Sequence, residues 1–224
     1  MTKKMLLILS LLLAVAMAGM GAWVASRAPA GLQLPVHWNI AGEADRYASK
    51  WTALMTAPAM TLLFAAFFWF LPALEPRDRN LDRSQGLYLW GWAALLIVML
   101  AVETVMLSAA LHWGLRTFAI MTGALGLTFV LIGNQLGKSR RMYLVGIRTP
   151  WTLASEEVWI KTHRLGGKLM VAGGSLLLLS AFVPIPSGPR ATLFAVGIAV
   201  MVGVPVVYSH WLWRREKGAA QPSE

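Results

Sequence analysis

The sequence predicts an all-α fold, an integral membrane helix bundle with six transmembrane helices and both termini in the cytoplasm. Three observations carry that reading. First, the 224 residues are 57% hydrophobic and only 13% charged, with a mean hydropathy of +0.59, a balance that points to lipid rather than water around much of the chain. Second, six apolar runs, Met5–Ala25, Thr52–Leu71, Leu87–Leu111, Thr117–Leu136, Leu169–Ile185 and Ala191–Trp213, are each long enough to cross a hydrocarbon core of about 30 Å. None alternates with period two, and open strands leave their backbone unsatisfied in lipid. Third, with the N-terminus inside, the inner segments hold fifteen of the 20 basic side chains and the outer segments five, a positive-inside bias. The formal charge of +10 is therefore a topology signal, and direct nucleic-acid binding is not expected.

The first run begins with Lys3 and Lys4 and contains Ala16-Met17-Ala18, a pattern shared with cleaved signal peptides. It continues through Trp23 to Ala25, beyond the roughly 7–15 residues of a signal-peptide apolar core. Ala14, Ala18 and Ala22 recur at four-residue spacing, a small-residue stripe suited to close helix packing, so a retained helix is expected. The outer segment 26–51 follows, carrying His37, Trp38, Asn39, Glu43, Asp45, Arg46, Tyr47 and Lys50. Gly42 predicts a turn between His37-Trp38-Asn39 and Asp45-Arg46. The segment reads as a cap tied by Asp45 to Arg46 or to His37, with recognition of an outside ligand as the functional alternative. Its spacing matches no metal-ligand signature, so no metal is assigned. Pro58 and Pro205 fall inside the second and sixth runs, where kinks are expected.

Glu103 is the ionisable residue deepest in an apolar run. Charge at that depth is costly, so the side chain is expected to face the bundle interior, either as a hydrogen-bonded packing residue or as a proton- or ion-coupling group. The inner segment 137–168 comes next. Thr149-Pro150-Trp151 predicts a stiff turn, because proline fixes its own φ and restrains its predecessor. Ser155-Glu156-Glu157 predicts a helix start, with a hydroxyl cap and two carboxylates at the positive end of the dipole. Val158, Trp159, Thr162 and Leu165 then share one face, and Lys161, His163 and Arg164 point elsewhere, as in an amphipathic helix lying at the inner interface before the fifth crossing. Two readings stay open for this loop: an interfacial anchor, or a docking surface in which the Arg148 guanidinium stacks on aromatics and binds a carboxylate.

Split into two halves of three helices, the chain places one long polar loop after the first helix of each half. The loops share Trp51-Thr52-Ala53-Leu54 and Trp151-Thr152-Leu153-Ala154, so an inverted repeat is a further expectation. Cysteine is absent, which removes disulfides and thiol nucleophiles. No Gly-x-Ser-x-Gly, His-Glu-x-x-His or P-loop pattern occurs, and no enzyme activity or cofactor is implied.

The inner stretch IGNQLGKSRRMYLVGIRTPWTLASEEVWIKTHRLGGK resembles the signature region of the SdpI family of bacterial membrane immunity proteins. The outer LPVHWNIAGEADRYASKW resembles the N-terminal module of unknown function that often accompanies it. The family usually carries Asn where this chain has Met142, and Pro where it has Ala44. The resemblance implies residence in the bacterial inner membrane, a peptide toxin met outside and a transcriptional repressor docked inside. Under it, His37, Trp38, Asn39, Gly42, Asp45 and Lys50 form the outward face. Gly146, Arg148, Thr149, Pro150, Trp151, Thr152, Trp159, Thr162, His163 and Arg164 form the inner one. It also divides the chain into residues 1–74 with the outer loop, an SdpI-like region 75–213, and a tail 214–224. A small proton-coupled transporter using Glu103 is the runner-up.

Overall fold

Four helices start at capping hydroxyls, those of Thr2, Ser49, Thr149 and Ser155. In the computed structural model, which describes residues 1–39, 43–75, 78–183 and 187–219, Thr2 accepts from the Met5 N–H at 3.2 Å and opens α1 (Lys3–Arg27). A hairpin of β1 (Gln33–Trp38) and β2 (Ala44–Ser49) leads without a linker into α2 (Lys50–Leu74). There follow α3 (Asp78–Arg83), α4 (Gln85–Leu111), α5 (Thr117–Leu136), the short α6 (Pro150–Ala154), α7 (Glu156–Ser180) and α8 (Ser187–Ala219). Five helices, α1, α2, α4, α5 and α8, are long and apolar enough to cross a membrane. Their outward faces are apolar too, with Val15 71% and Val207 70% exposed, as lipid contact requires and water would penalise. The all-α membrane bundle stands, with the outer hairpin as its one addition. The expected fifth crossing falls on the apolar second half of α7 and runs on into residues 184–185, outside the described residues. Charges in the first half of α7 keep it out of the five.

Two apolar clusters divide the interior. One, toward the inner side, joins Leu6, Phe68, Tyr88 and Trp92 to Met142 and Trp159 of the loop region. Phe68 and Trp92 stack there with centroids 5.6 Å apart, and the Trp92 indole N–H donates to Ser10 Oγ of α1 at 3.0 Å. The other, toward the outer side, seats Leu34 of β1 on Val24, Leu54, Val105 and Met106. Each polar excursion thus rests on its own core.

Glycine sets the approach of α5 and α7. A Cβ on Gly167 would stand 2.6 Å from the Gly133 carbonyl, and one on Gly174 would stand 2.7 Å from the Gly126 carbonyl, so backbones touch where any side chain would hold them apart. Small residues also serve α1, at other positions than expected. Its buried face runs Leu6, Ser10, Ala14, Met17, Gly21 and Val24, and Ala18 and Ala22 lie half-buried beside it. A helix turns about 100° per residue, so strict four-residue spacing drifts off a contact line that alternating steps of three and four follow.

The shared Trp-Thr fragments have a local explanation. Ser49 accepts from the Thr52 N–H and Thr149 from the Thr152 N–H, both at 3.2 Å, so each fragment is the first turn of a capped helix. Beyond that turn they diverge: α2 runs on for 25 residues, whereas Ser155 recaps the chain after five residues of α6 and opens α7. One preceding segment is a hairpin and the other is not. The repeat finds no support past the caps.

Candidate functional site

The inner loop is built around a buried histidine. His163 is fully buried on α7, and its Nε2 accepts from the Ile147 backbone N–H at 2.8 Å. Its Nδ1 lies 2.8 Å from the Trp159 carbonyl oxygen. One nitrogen accepts, so the other carries the proton and donates: the imidazole is neutral. Burial pushes its pKa down to about 4, because charge is poorly solvated there. The ring also stacks on Trp159 at 3.9 Å, and the Trp159 indole N–H donates to Ser139 Oγ at 3.2 Å. Gly146 makes this possible. Its φ is +117°, and a Cβ there would stand 2.6 Å from His163 Nε2 and 2.8 Å from the Trp159 ring, so no other residue fits without displacing the loop.

The rest of the loop is tied to four helices. Thr149 and Thr152 form a reciprocal capping box, and Thr152 Oγ1 reaches the Ile147 carbonyl at 2.8 Å. Thr149 Oγ1 meets Ser209 Oγ of α8 at 3.2 Å. Pro150 opens α6, and Trp151 packs its ring 4.7 Å from that of His210. Arg141 donates to the Leu153 and Ala154 carbonyls at 3.1 and 3.0 Å, which satisfies the end of α6. At the far end of α2, the Glu75 carboxylate is buried and accepts from the Tyr143 N–H at 3.0 Å and the Leu144 N–H at 2.9 Å. Arg148 is exposed and donates to the Tyr143 carbonyl at 2.7 Å; Arg164 is also exposed. Met142, at the position where Asn is usual in the resembled family, is fully buried in the inner cluster.

Two expectations for this loop are corrected. His163 was placed away from the packed face, yet it is buried with Trp159 and Thr162, because the loop folds back over α7 and gives the ring a second wall. The expected interfacial helix is also continuous with the helix that follows it, α7 running from Glu156 to Ser180 without a break. Gly166 and Gly167 serve close packing: a Cβ on Gly166 would stand 2.8 Å from Ile147 Cδ1. Ser155 does cap α7, accepting from Val158 at 3.3 Å.

The outer face is organised differently. His37 Nδ1 and Asp45 Oδ1 lie 2.6 Å apart across the hairpin, both side chains about half exposed, so the tie from Asp45 goes to His37. Asn39 and Glu43 pair through side chain and backbone, with Glu43 N–H to Asn39 Oδ1 at 3.0 Å. Gly42 lies outside the described residues. Trp38 packs against the outer cluster. Lys50 is buried, and its ammonium donates to the Ala28 carbonyl at the end of α1 at 2.5 Å, where the helix dipole is negative. Glu103 is 1% exposed on α4.

Sequence reasoning missed Glu75, Ser139, Ser209 and the capping role of Arg141. The partners of Glu75 lie 68 and 69 residues away, and nothing in the local sequence announces so long a contact.

Comparison with known proteins fits this geometry. Residues 138–209, which hold every inner residue just described except Glu75 and His210, match the SdpI/YfhL protein family. Residues 12–62, with α1, the hairpin and the start of α2, match a domain of unknown function, DUF1648. The chain is similar to Immunity protein SdpI of Bacillus subtilis (strain 168), 22% identical over 150 residues, which is 67% of this chain and 70% of that protein. No solved structure matches it. With five apolar membrane-length helices among the described residues and a stretch that matches the SdpI/YfhL family model, the protein is a multi-pass cell-membrane protein. Glu75 and Glu103 lie between the two matched stretches.

Proposed function

We propose that this SdpI-like protein is a membrane immunity protein, protecting its cell against a membrane-active peptide toxin that meets the outer hairpin. The inner loop then docks a cytoplasmic transcriptional repressor. The observation that carries the reading is the similarity to Immunity protein SdpI over 67% of the chain. The architecture supports a coupling between the faces: β2 passes directly into α2, and the carboxylate that ends α2 holds the loop at Tyr143 and Leu144. One rigid rod thereby touches both surfaces, which is what a two-state bundle biased from both sides needs.

The test is survival of a toxin-sensitive bacterium expressing the intact chain, Arg148→Ala or Asp45→Asn at matched membrane abundance. Protection by the intact chain, lost in Asp45→Asn, is expected for toxin recognition at the hairpin. Arg148→Ala is expected to spare protection if it acts only on the repressor and to abolish it if the loop itself confers immunity. No protection at verified abundance would overturn the reading.

A further inference from the structure

The outer half of the bundle holds an arrangement that neither matched stretch contains whole. Both carboxylate oxygens of Glu103 are buried with no hydrogen-bond partner among the described residues. They face the seam between α1 and α2. A Cβ placed on Gly21 of α1 would stand 3.3 Å from Glu103 Oε1 and 3.0 Å from the Leu54 carbonyl oxygen of α2, so both oxygens flank one point. The Leu54 carbonyl is itself deprived of its helical donor. Four residues on stands Pro58, inside α2, which has no N–H to return and whose ring pushes that carbonyl aside. A carboxylate and a freed carbonyl therefore converge, and both are acceptors.

Among the described residues nothing neutralises them. Between the polar rims of α1, α2, α4 and α5 the ionisable side chains are Glu103 and Tyr88, and the Tyr88 hydroxyl donates to the Phe68 carbonyl in the inner cluster. Lys50 lies one turn above Leu54 on α2 and is engaged with the Ala28 carbonyl. His37, Asp45 and Arg46 belong to the hairpin above. Two acceptors meeting in an apolar interior require a positive charge between them.

We propose that Glu103 and the Leu54 carbonyl form an intramembrane binding site for a monovalent cation, a proton or an alkali ion, entered from the outer side. Glu103 lies eight residues, about 12 Å, from the outer end of α4 at Leu111. Leu54 and Val24 also floor the hairpin, so occupancy sets the α1–α2 seam directly beneath the outer face. The proposal goes beyond the immunity reading and does not depend on it.

The experiment uses the full chain in nanodiscs of zwitterionic lipid and reads the thermal unfolding midpoint. In one arm sodium chloride is replaced by choline chloride at constant ionic strength; in the other, pH varies at fixed sodium. The intact chain is expected to gain roughly 3–6 °C per tenfold rise in the cation it binds. A sodium response at fixed pH identifies an alkali ion, and a rise with falling pH and no sodium response identifies the proton. Glu103→Gln, which keeps the shape and supplies an N–H to Leu54, is expected to fold and to lose the response. Pro58→Ala returns an N–H to Leu54 and is expected to shift the response several-fold toward higher cation concentration. Midpoints of the intact chain and Glu103→Gln that run parallel in both arms would overturn the site, and an unchanged response in Pro58→Ala would remove Leu54 from it.

Discussion

The hairpin and the inner loop look alike in sequence, each a polar, tryptophan-bearing excursion between apolar runs, and they fold to opposite ends. Outside, His37 and Asp45 are about half exposed, paired across two short strands and tied to little else. Inside, Trp159, Thr162, His163 and Thr152 are each fully buried. His163 stacks on Trp159, Trp159 donates to Ser139, and neighbouring loop residues are tied to Glu75 at the end of α2 and to Ser209 of α8. The hairpin presents its chemistry, whereas the loop spends most of its chemistry on its own conformation and leaves Arg148 and Arg164 at the surface. The difference follows from where each chain segment can satisfy its backbone. A two-stranded hairpin pairs its own N–H and C=O groups. An irregular loop of similar length must borrow partners from side chains, and buried polar groups left without them are costly.

The largest expected effect that tests this contrast is at Gly146. Gly146→Ala places a methyl against His163 and Trp159 at a positive φ and should cost about 2–4 kcal/mol of local stability. Tryptic cleavage at Arg141 and Arg148 in native membranes should then accelerate; unchanged cleavage would mean the loop is not held as described. Next is Glu75→Ala, which leaves two part-buried N–H groups without their charged acceptor and should cost about 1–3 kcal/mol. Amide exchange at Tyr143 and Leu144 is the readout, and rates equal to those of the intact protein would break the proposed link from α2.

A pH response comes third. His163 ordinarily titrates near 6.5 and is held at about 4 when folded. Below 6.5 the unfolded loop takes up a proton that the folded one refuses, so protection is full above about 6.5 and is lost as pH falls toward about 4. The exchange protection factor of the Ile147 amide should follow that curve, and the pH dependence should vanish in His163→Gln. The smallest effect on stability is expected outside. His37→Ala breaks an exposed pair whose worth is under about 1 kcal/mol. It should leave the unfolding midpoint within about 3 °C while changing toxin protection, and a large drop in the midpoint would erase the distinction between the two faces.

Much of this was legible beforehand. The starts of α5 at Thr117 and of α7 at Ser155-Glu156-Glu157 were read from the sequence, because capping and hydropathy act over a few residues; α2 starts at Lys50, two residues before the expected Thr52. The turn at Thr149-Pro150 was read from the same short range, as was a tie from Asp45 to Arg46 or His37, which the structure resolves to His37. The hairpin itself was not foreseen, since Pro35 and weak alternation mask its strands.

Bilayer residence, the apolar runs and the polar character of both loops were determined by the sequence alone, since hydropathy, charge bias and caps depend on neighbours in the chain. Which polar side chain ends exposed and which is buried was decided only by tertiary structure. His163 needed the loop to fold back, Glu75 needed partners 68 and 69 residues away, and the convergence of Glu103, Gly21 and Leu54 required three helices to meet. Burial of a polar atom is a property of what packs around it, and those neighbours come from distant parts of the chain.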